Sequence, residues 1–321
     1  MSRVFTDDFV IVEHEEFAIE CIGEQEMWVY DIEVDDNHNF FANDILVHNS
    51  NYIELNNVVL KNGWDSLTNP EISDKIDEFC NTHLKKVIDK AFADLFKYLN
   101  HRTPVLDMAR ENIGSRAIWS TAKKRYAMLV YDSEGDRYDP PKVKIQGHEA
   151  VKNSTPRAAR AILREAIIKM LSLEEDQFQE YIREQEQVFF EKSFEEVAEN
   201  KSVNAVTKWT TADGSILKGT PINSRAGVVY NNALRMHKVE TKYQAIQEGD
   251  KVKIAYLQMP NPVNSNVIAA PYEIPSEFEL DEYIDHRAMF EKFVIKPLTP
   301  FADAARWTVY EVASLDDLCV Y

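Results

Sequence analysis

The sequence predicts a multidomain chain, with an all-β segment followed by an α+β region in which helices and strands form separate blocks. Residues 1–49 contain short β-branched and aromatic runs between polar turns, a pattern typical of strands. Apolar residues then recur at spacings of three and four over 69–99, as on one face of a long helix. Alternation typical of strands returns over 118–147, and Thr155-Pro156 opens a second amphipathic helix.

The first elements follow from these patterns. Strands are predicted at 9–12, 17–22 and 27–34, because each run is rich in residues that favour a half-buried pleated surface. The long helix is expected to begin at Asn69-Pro70, since proline is favoured at the first helical position.

The later elements are predicted in the same way. The second helix has an apolar face made of Ala159, Ile162, Leu163, Ala166, Ile167, Met170 and Leu171. A strongly charged helix is predicted over 174–198. The remainder, with its Pro and Gly punctuation, indicates short strands and loops.

The composition excludes several classes of protein. The 321 residues are 45% apolar and include only 9 Gly and 12 Pro, so the chain is neither collagen-like nor of low complexity. No apolar run approaches the roughly 18 residues of a membrane span, and the N-terminus lacks a signal-peptide pattern. We therefore expect a soluble protein that stays inside the cell. Cys21, Cys80 and Cys319 match no zinc or redox spacing, which favours buried free thiols.

The net charge of −18 is unevenly distributed along the chain. Residues 1–49 hold one base and thirteen acids, a net charge of −12, and the remaining residues carry −6. Over 116–169 the balance reverses, with twelve bases and six acids. The sequence therefore predicts an acidic module joined to a region with a basic surface.

The tetrapeptide Val-His-Asn-Ser at 47–50 has a possible chemical use. The Asn49 amide can attack its own backbone carbonyl, forming a succinimide and cutting the chain before Ser50. The His48 imidazole is suited to the proton transfers this reaction needs. The Ser50 hydroxyl is a nucleophile able to accept an acyl group. Taken alone, the tripeptide His-Asn-Ser more commonly lies in a solvated turn.

The longer string VYDIEVDDNHNFFANDILVHNS resembles the C-terminal splicing motifs of inteins. The resemblance implies a Hedgehog/intein-type all-β fold for 1–49. It also implies splicing roles for five residues: Asp31 and His38 as the acid and histidine of the penultimate block, His48 as the penultimate histidine, Asn49 as the cyclising asparagine and Ser50 as the first extein residue. Because only 48 residues precede Asn49, we expect the C-terminal fragment of a split intein. Its acidic charge suits attraction to a basic N-terminal fragment, which salt would weaken.

The sequence SNYIEL, which begins at Ser50, resembles the strand that follows the Tyr-Gly-Asp-Thr-Asp motif of family B DNA polymerases. Five further segments, in order, resemble the replicative DNA polymerases of T-even-like bacteriophages: MARENIG (108–114), the run from TAKKRY (121–147), KNSTPRAARAILREAIIKML (152–171), EKFVIKPLTPFADAA (291–305) and ASLDDLCVY (313–321). The resemblance implies a remainder of the α+β polymerase palm at 50–148, a mainly helical thumb at 149–312 and a clamp-binding tail at 313–321.

Three cations beside an aromatic residue, Lys123, Lys124, Arg125 and Tyr126, suit a nucleic-acid backbone and minor-groove edge. A solvated basic strand is the alternative interpretation. The resemblance implies that Lys124 reaches the minor groove at the primer terminus and that Tyr126 braces the primer, with Lys123 and Arg125 in support.

Further cations surround the start of the predicted thumb helix, namely Lys152, Arg157 and Arg160. The helix N-terminus adds partial positive charge for a phosphate group. Each cation could instead solvate the helix surface. Arg225 and Tyr230 also match a thumb segment, without a defined role.

Glu111 matches an acidic palm residue near the metal ions, and we expect it to have a supporting role only. Two-metal nucleotidyl transfer needs carboxylates that bind Mg²⁺. The resemblance places the principal carboxylates on an N-terminal partner, so we expect no metal site in this chain alone. Mg²⁺ as cofactor and dNTP as substrate would then bind after assembly.

The last residues of the chain include Leu315, Leu318 and Tyr321 at a spacing of three. The resemblance implies that this tail docks into the ring-shaped phage sliding clamp and raises processivity by tethering. A frayed terminus is the alternative.

The sequence as a whole thus predicts the C-terminal part of a phage DNA-directed DNA polymerase, joined to its N-terminal half by trans-splicing at Asn49/Ser50. The joined enzyme would replicate viral DNA on primer-template DNA, in the cytoplasm of the infected bacterial host and without a membrane partner. Two alternatives remain open. An inert intein remnant could leave two polymerase halves to assemble non-covalently, or the chain could be a non-catalytic thumb and clamp-binding accessory protein.

Overall fold

The structure, a computed structural model, describes residues 39–42, 45–48, 52–98, 100, 108–120, 124–204, 206–211 and 214–310. The chain divides into two compact units. The first comprises Met1–Ala117 and Met128–Lys144, and the second comprises Ile118–Ala127 and Ile145–Tyr321. Within the described residues, no helix combines the length and apolar character that crossing a bilayer requires. The domain boundaries predicted at 49, 148 and 312 stay predictions.

The N-terminal part of the described chain is a β-hairpin. Strand β1 (Asn39–Ala42) pairs antiparallel with β2 (Ile45–His48), and Asn39 lies opposite His48. This hairpin confirms β structure at the end of the acidic segment. The strands predicted at 9–12, 17–22 and 27–34 lie outside the described residues, so the Hedgehog/intein fold stays a prediction.

The long amphipathic helix is confirmed as a nearly continuous rod. Helix α1 (Asn56–Lys61) precedes it, and the rod consists of α2 (Asn69–Phe79), one π-helical turn (Cys80–Leu84) and α3 (Lys85–Tyr98). Thr68 begins the rod with a capping box: its backbone N–H donates to the Glu71 carboxylate at 2.8 Å.

The rod contains one of the three cysteines. Cys80 is a buried free thiol, and burial raises its pKa to about 11. The prediction of a buried thiol is confirmed at this position. Cys21 and Cys319 lie outside the described residues.

Three strands follow the rod: β3 (Asn112–Trp119), β4 (Tyr126–Ser133) and β5 (Asp136–Gln146). They form one sheet with β4 in the middle. The central strand is the most buried of the three, as expected for a strand paired on both edges. The alternation over 118–147 therefore predicted strands correctly.

The second unit begins with helices. Helix α4 (Arg157–Ser172) has the predicted apolar face, fully buried from Ala159 to Leu171. The charged helix predicted over 174–198 is wrong as a single element, because α5 (Glu175–Phe190) ends before a separate short helix, α6 (Phe194–Val197). Ser193 forms a capping box with Glu196, and this local cap starts a new helix instead of continuing the old one.

The remaining elements surround a second small sheet. Its antiparallel strands lie in the order β6 (Glu199–Ser202), β7 (Lys251–Tyr256) and β8 (Val267–Ala270). Helix α7 (Ile222–His237) packs on β8, whose four residues are all buried. Helix α8 (His286–Phe290), a π-helical turn (Glu291–Ile295) and α9 (Lys296–Ala305) complete the described chain.

Candidate nucleic-acid interface

The turn between β3 and β4 carries the basic motif. Lys124 is exposed in this turn and has a left-handed backbone, with φ of 61°. The Ser120 backbone N–H donates to the Arg125 carbonyl at 3.1 Å and closes the turn. Lys124 is therefore exposed to solvent, and the backbone of the next residue, Arg125, is held by the hydrogen bond from Ser120.

Gly147, just after β5, lies directly against this turn. A Cβ atom at Gly147 would be 2.1 Å from the Lys124 carbonyl oxygen, so a side chain there would displace the turn. Its φ of 66° also favours glycine. Sequence reasoning did not single out Gly147, although it ends the motif that begins with the basic run.

Arg125 and Lys152 share one carboxylate. The Arg125 guanidinium donates to both Glu149 oxygens, at 3.0 and 3.3 Å, and the Lys152 ammonium donates to Oε1 at 2.8 Å. Burial raises the pKa of Glu149, but the hydrogen bond from Lys152 and the charge of Arg125 outweigh it, and the pKa lies below its usual range. Two cations on one carboxylate leave a net positive charge beside Lys124.

Tyr126 lies beneath this turn and not on its surface. Its ring is 8% exposed and packs against Trp119, with ring centroids 4.8 Å apart. The side chain therefore supports the start of β4 from within. Its predicted role in bracing a primer stays a prediction.

His148 anchors the same segment from the other side. The Ala150 N–H donates to Nδ1 at 3.0 Å, which places the ring proton on Nε2, and Nε2 donates to the Pro297 carbonyl at 2.9 Å. The ring also packs on Phe301 at 4.8 Å. Burial lowers the pKa of His148, so the ring is neutral in the fold. Sequence reasoning missed this residue because a single histidine in a polar run gives no local signal.

The remaining predicted cations lie at the start of α4. Arg157 is its first residue and is exposed, and Arg160 donates to the Asn153 side chain at 3.0 Å. The structure joins Arg125 and Lys152 through Glu149 and places all five of the predicted DNA-binding cations that it describes in the second unit. We call them the basic cluster: Lys124, Arg125, Lys152, Arg157 and Arg160.

Glu111 in the first unit forms an ion pair with Lys144. Burial raises its pKa, but hydrogen bonds from Lys144 and Asn112 and the Lys144 charge outweigh burial, and the pKa lies below its usual range. The carboxylate is therefore ionised and already neutralised by a cation of the same chain.

A second set of carboxylates in the first unit is occupied by arginines. Asp132 is fully buried and bound by Arg110 and Arg137. Asp77 also contacts both arginines, at 2.9 and 3.0 Å, and Asp74 contacts Arg137 at 2.9 Å. Among the described residues, no three His, Cys, Asp or Glu side chains are arranged to hold a metal ion. The carboxylates of Glu111, Asp132, Asp77 and Asp74, each paired with a cation, therefore do not fit a Mg²⁺ site.

The two residues of the predicted thumb segment differ in position. Tyr230 is 2% exposed and packs edge-on against Phe278 at 5.7 Å, which makes it a core residue. Arg225 lies at the surface of α7, where its Nη2 donates to the Asn266 side-chain oxygen at 2.9 Å.

Of the five predicted splicing residues, His48 lies in the described part of the chain, as the last residue of β2. The other four, together with one DNA-binding residue and the three clamp-binding residues, lie outside the described residues: Asp31, His38, Asn49, Ser50, Lys123, Leu315, Leu318 and Tyr321.

Comparisons with known proteins find phage polymerases. The DNA-directed DNA polymerase of Enterobacteria phage T4 is 32% identical over 280 residues, 83% of this chain and 30% of that protein. That of Escherichia phage RB69 is 34% identical over 257 residues, 76% of this chain and 28% of that protein. The solved family B DNA polymerase of the archaeon Pyrobaculum calidifontis matches 71% of this chain and 25% of its own, with 14% identity and a TM-score of 0.42.

No protein-family model matches the chain. The chain spans about 30% of the length of the phage relatives it matches. The identity to them nevertheless extends over most of this chain, across both of its units. The chain is therefore homologous to part of the DNA-directed DNA polymerases of these phages.

Proposed function

We propose that this chain is the DNA-holding part of a phage replicative DNA polymerase, which catalyses template-directed nucleotidyl transfer after assembly with an N-terminal half. The observation that carries this proposal is the match to the T4 enzyme, which covers 83% of this chain but 30% of that polymerase. In the proposed enzyme, this part acts together with the remainder of the polymerase, which the match does not cover.

The basic cluster would hold the primer-template. Cations that contact phosphates supply affinity without reading sequence, and acceptors in the minor groove are common to all correct pairs. Lys124 is the exposed one of the three motif residues that the structure describes, whereas Arg125 is fixed by Glu149. We assign Lys124 to direct DNA contact and Arg125 to positioning of the turn, with Lys123 and Tyr126 in support.

An N-terminal half is also supported by the surface of α3. Val87 and Tyr98 on this helix are each 66% exposed, and Phe96 is its one buried residue. Helix α4, by contrast, has seven buried apolar residues. A partner that covers α3 would bury its apolar face, which favours association by about 25 cal/mol for each Å² of apolar surface.

The partner would also provide the metal chemistry. In two-metal polymerases, carboxylates bind the Mg²⁺ ions that act on the dNTP. Because the carboxylates of Asp132 and Glu111 are paired with cations, we propose that the principal metal-binding carboxylates lie on the N-terminal half. Glu111 would then support the palm through its pair with Lys144.

We further propose that trans-splicing joins the two halves: the acyl group of the partner's last residue passes to Ser50, and cyclisation of Asn49 breaks the bond between Asn49 and Ser50, with His48, His38 and Asp31 assisting. The register of the hairpin supports this proposal, because Asn39 pairs with His48. That pairing sets the residue after His38 opposite the penultimate histidine. Non-covalent assembly of the halves around an inert intein remnant is the second candidate, and the exposed face of α3 favours it.

The remaining assignments follow the homology. Leu315, Leu318 and Tyr321 would dock on the phage sliding clamp, and the assembled enzyme would act in the cytoplasm of the infected host. A non-catalytic accessory protein would need neither an N-terminal half nor splicing, so reconstitution of activity separates it from the polymerase.

Primer extension tests the polymerase proposal. We expect no extension by this chain alone and extension once the N-terminal half is added. Lys124→Gln should weaken primer-template binding about equally for all sequences, since the minor-groove acceptors are common to all correct pairs, and should lower the salt slope, since the DNA contact loses one cation. Lys251→Gln, at an exposed lysine of β7, is the matched control. Equal effects of both variants would contradict the assignment of Lys124.

Mass spectrometry of polymerase from cells that express both halves tests splicing. We expect a peptide that joins the last residues of the partner directly to Ser50. Asn49→Ala should abolish this ligated peptide, because alanine has no amide to cyclise. An intact Asn49-Ser50 bond in active enzyme would establish non-covalent assembly instead.

A further inference from the structure

A groove lies in the second unit, between α7 and the loop that precedes β8. Its volume is about 610 Å³, within the range of small-molecule sites. The apolar walls include Val229 and Ala233 from α7, and Val263 from the loop. Met236 and Met259 line the mouth and are 55% and 50% exposed. Methionine is flexible and polarisable, and its sulfur makes favourable contacts with aromatic rings.

The polar part of the groove has a single charge. In the part of the chain that the structure describes, Arg225 is the one ionisable residue that lines the groove, and no acidic residue there lines it. The Asn266 side-chain oxygen lies 2.9 Å from Nη2. It is the one hydrogen-bond acceptor of the Arg225 guanidinium in the described part of the chain. The Arg225 Nε is buried and has no acceptor among the residues that the structure describes. An anion at this end of the groove would meet an incompletely satisfied cation.

The surrounding sequence is basic, although the whole chain carries −18. The residues that form and flank this face, 206–238, hold five bases and one acid, and the loop side, 257–272, has no charged residue. The bases are Lys208, Lys218, Arg225, Arg235 and Lys238. Such a local excess attracts a polyanion.

We propose that this groove binds one nucleotide of single-stranded DNA, with the base between Met236 and Met259 and an adjoining phosphate at Arg225. A flat aromatic base fits the apolar walls, and the phosphate matches the lone cation. Binding through the face of a base tolerates any sequence, as replication requires. The inference rests on the proposed function, but it concerns a site separate from the basic cluster.

Photo-crosslinking of the full chain to an oligothymidylate that contains 4-thiothymidine tests this site. We expect crosslinks that mass spectrometry maps to α7 and to the loop at 258–266. Met236→Ala and Arg225→Gln should each lower the yield roughly fivefold, because one removes a base contact and the other a phosphate contact. Arg287→Gln, which removes the same charge from an exposed position on α8, should leave the yield unchanged.

The outcomes separate this site from the proposed function. Crosslinks elsewhere, or a yield that neither groove variant lowers, would overturn the groove site. Primer-template binding that depends on Lys124 would still stand in that case. If the assembled halves bind no primer-template at all, the proposed function itself fails. Met236 is exposed, so its variant is expected to fold even if Arg225→Gln disturbs the loop.

Discussion

Gly147 leaves no space for even the smallest side chain. We expect Gly147→Ala to displace the turn that holds Lys124, because the new Cβ would meet its backbone oxygen at 2.1 Å. The expected result is a lower thermal midpoint together with weaker primer-template binding. Differential scanning fluorimetry and fluorescence anisotropy measure the two effects.

Gly219→Ala is the matched control for that variant. Gly219 also has a positive φ, 88°, but a Cβ atom there would have nothing within 4 Å. This control carries only the left-handed strain, about 1 kcal/mol, and should leave DNA binding intact. Equal loss of DNA binding in both variants would show that the contact with Lys124 is unimportant.

His148 predicts a pH dependence of stability. Its pKa is lowered by burial in the fold, whereas the unfolded chain has the ordinary value near 6.5. The neutral ring therefore stabilises the fold above about pH 6.5, and this contribution is lost as the pH falls and the unfolded state takes up a proton. We expect the free energy of unfolding to decrease from pH 7 towards pH 5, as measured by urea denaturation at each pH.

The same series on two variants isolates this histidine. His148→Asn should be less stable at pH 7 and should show a flatter pH dependence over that interval. His83→Asn, at an exposed histidine, should retain the slope of the parent chain. An unchanged slope in His148→Asn would mean that another group causes the pH dependence.

The arginine and aspartate network ties the rod to the neighbouring sheet in the first unit. Asp77 belongs to α2, Asp132 to β4 and Arg137 to β5. Asp132→Asn removes a fully buried charge and leaves two guanidinium groups without it, so we expect a loss of about 3 kcal/mol in the free energy of unfolding. Asp74→Asn, at a side chain 66% exposed, should cost less than about 1 kcal/mol. Similar losses, measured by urea denaturation, would contradict the dominance of the buried carboxylate.

The exposed face of α3 predicts that a substitution there weakens association with the proposed N-terminal half without lowering the stability of this chain. Val87→Glu should leave the thermal midpoint of this chain nearly unchanged, because the side chain is 66% exposed. Association with the N-terminal half should weaken, since the new carboxylate would be buried at the contact. Lys86→Gln changes the net charge by the same amount at a neighbouring exposed position and serves as the control in a pull-down or calorimetric titration.

Apolar periodicity predicted α2, α3 and α4 because each pattern is local and several turns long. The break between α5 and α6 was missed, since charged residues on both sides favour helix and the cap at Ser193 involves only one neighbouring glutamate. The basic run was predicted as one surface. The sequence does not show that Arg137 is held by the buried Asp132 and by Asp77 while Lys124 is exposed, because those partners come from another strand and a helix.

The charge of the whole chain predicts how the proposed splicing would change DNA binding. Residues 1–49 carry −12 of the total −18, and their removal leaves a chain with −6. We expect the processed chain to bind primer-template DNA more tightly at low salt, because less negative charge opposes the phosphates. The difference should shrink as added salt screens the acidic segment. Anisotropy titrations at two salt concentrations measure this difference in DNA affinity, with the intact Asn49→Ala chain as reference. A difference that stays the same at both salt concentrations would argue against a charge effect.

The hydrogen bond between His148 and Pro297 has a consequence for how DNA binding is sensed. The imidazole joins the segment that supports the Lys124 turn to the first turn of α9, far along the chain. Any ligand that immobilises the turn must also oppose local opening of that helix, since the two share one buried ring. Amide protons of α9 should therefore exchange more slowly when primer-template is bound at the basic cluster. Helix α9 would thus report on the state of the turn that we propose binds DNA.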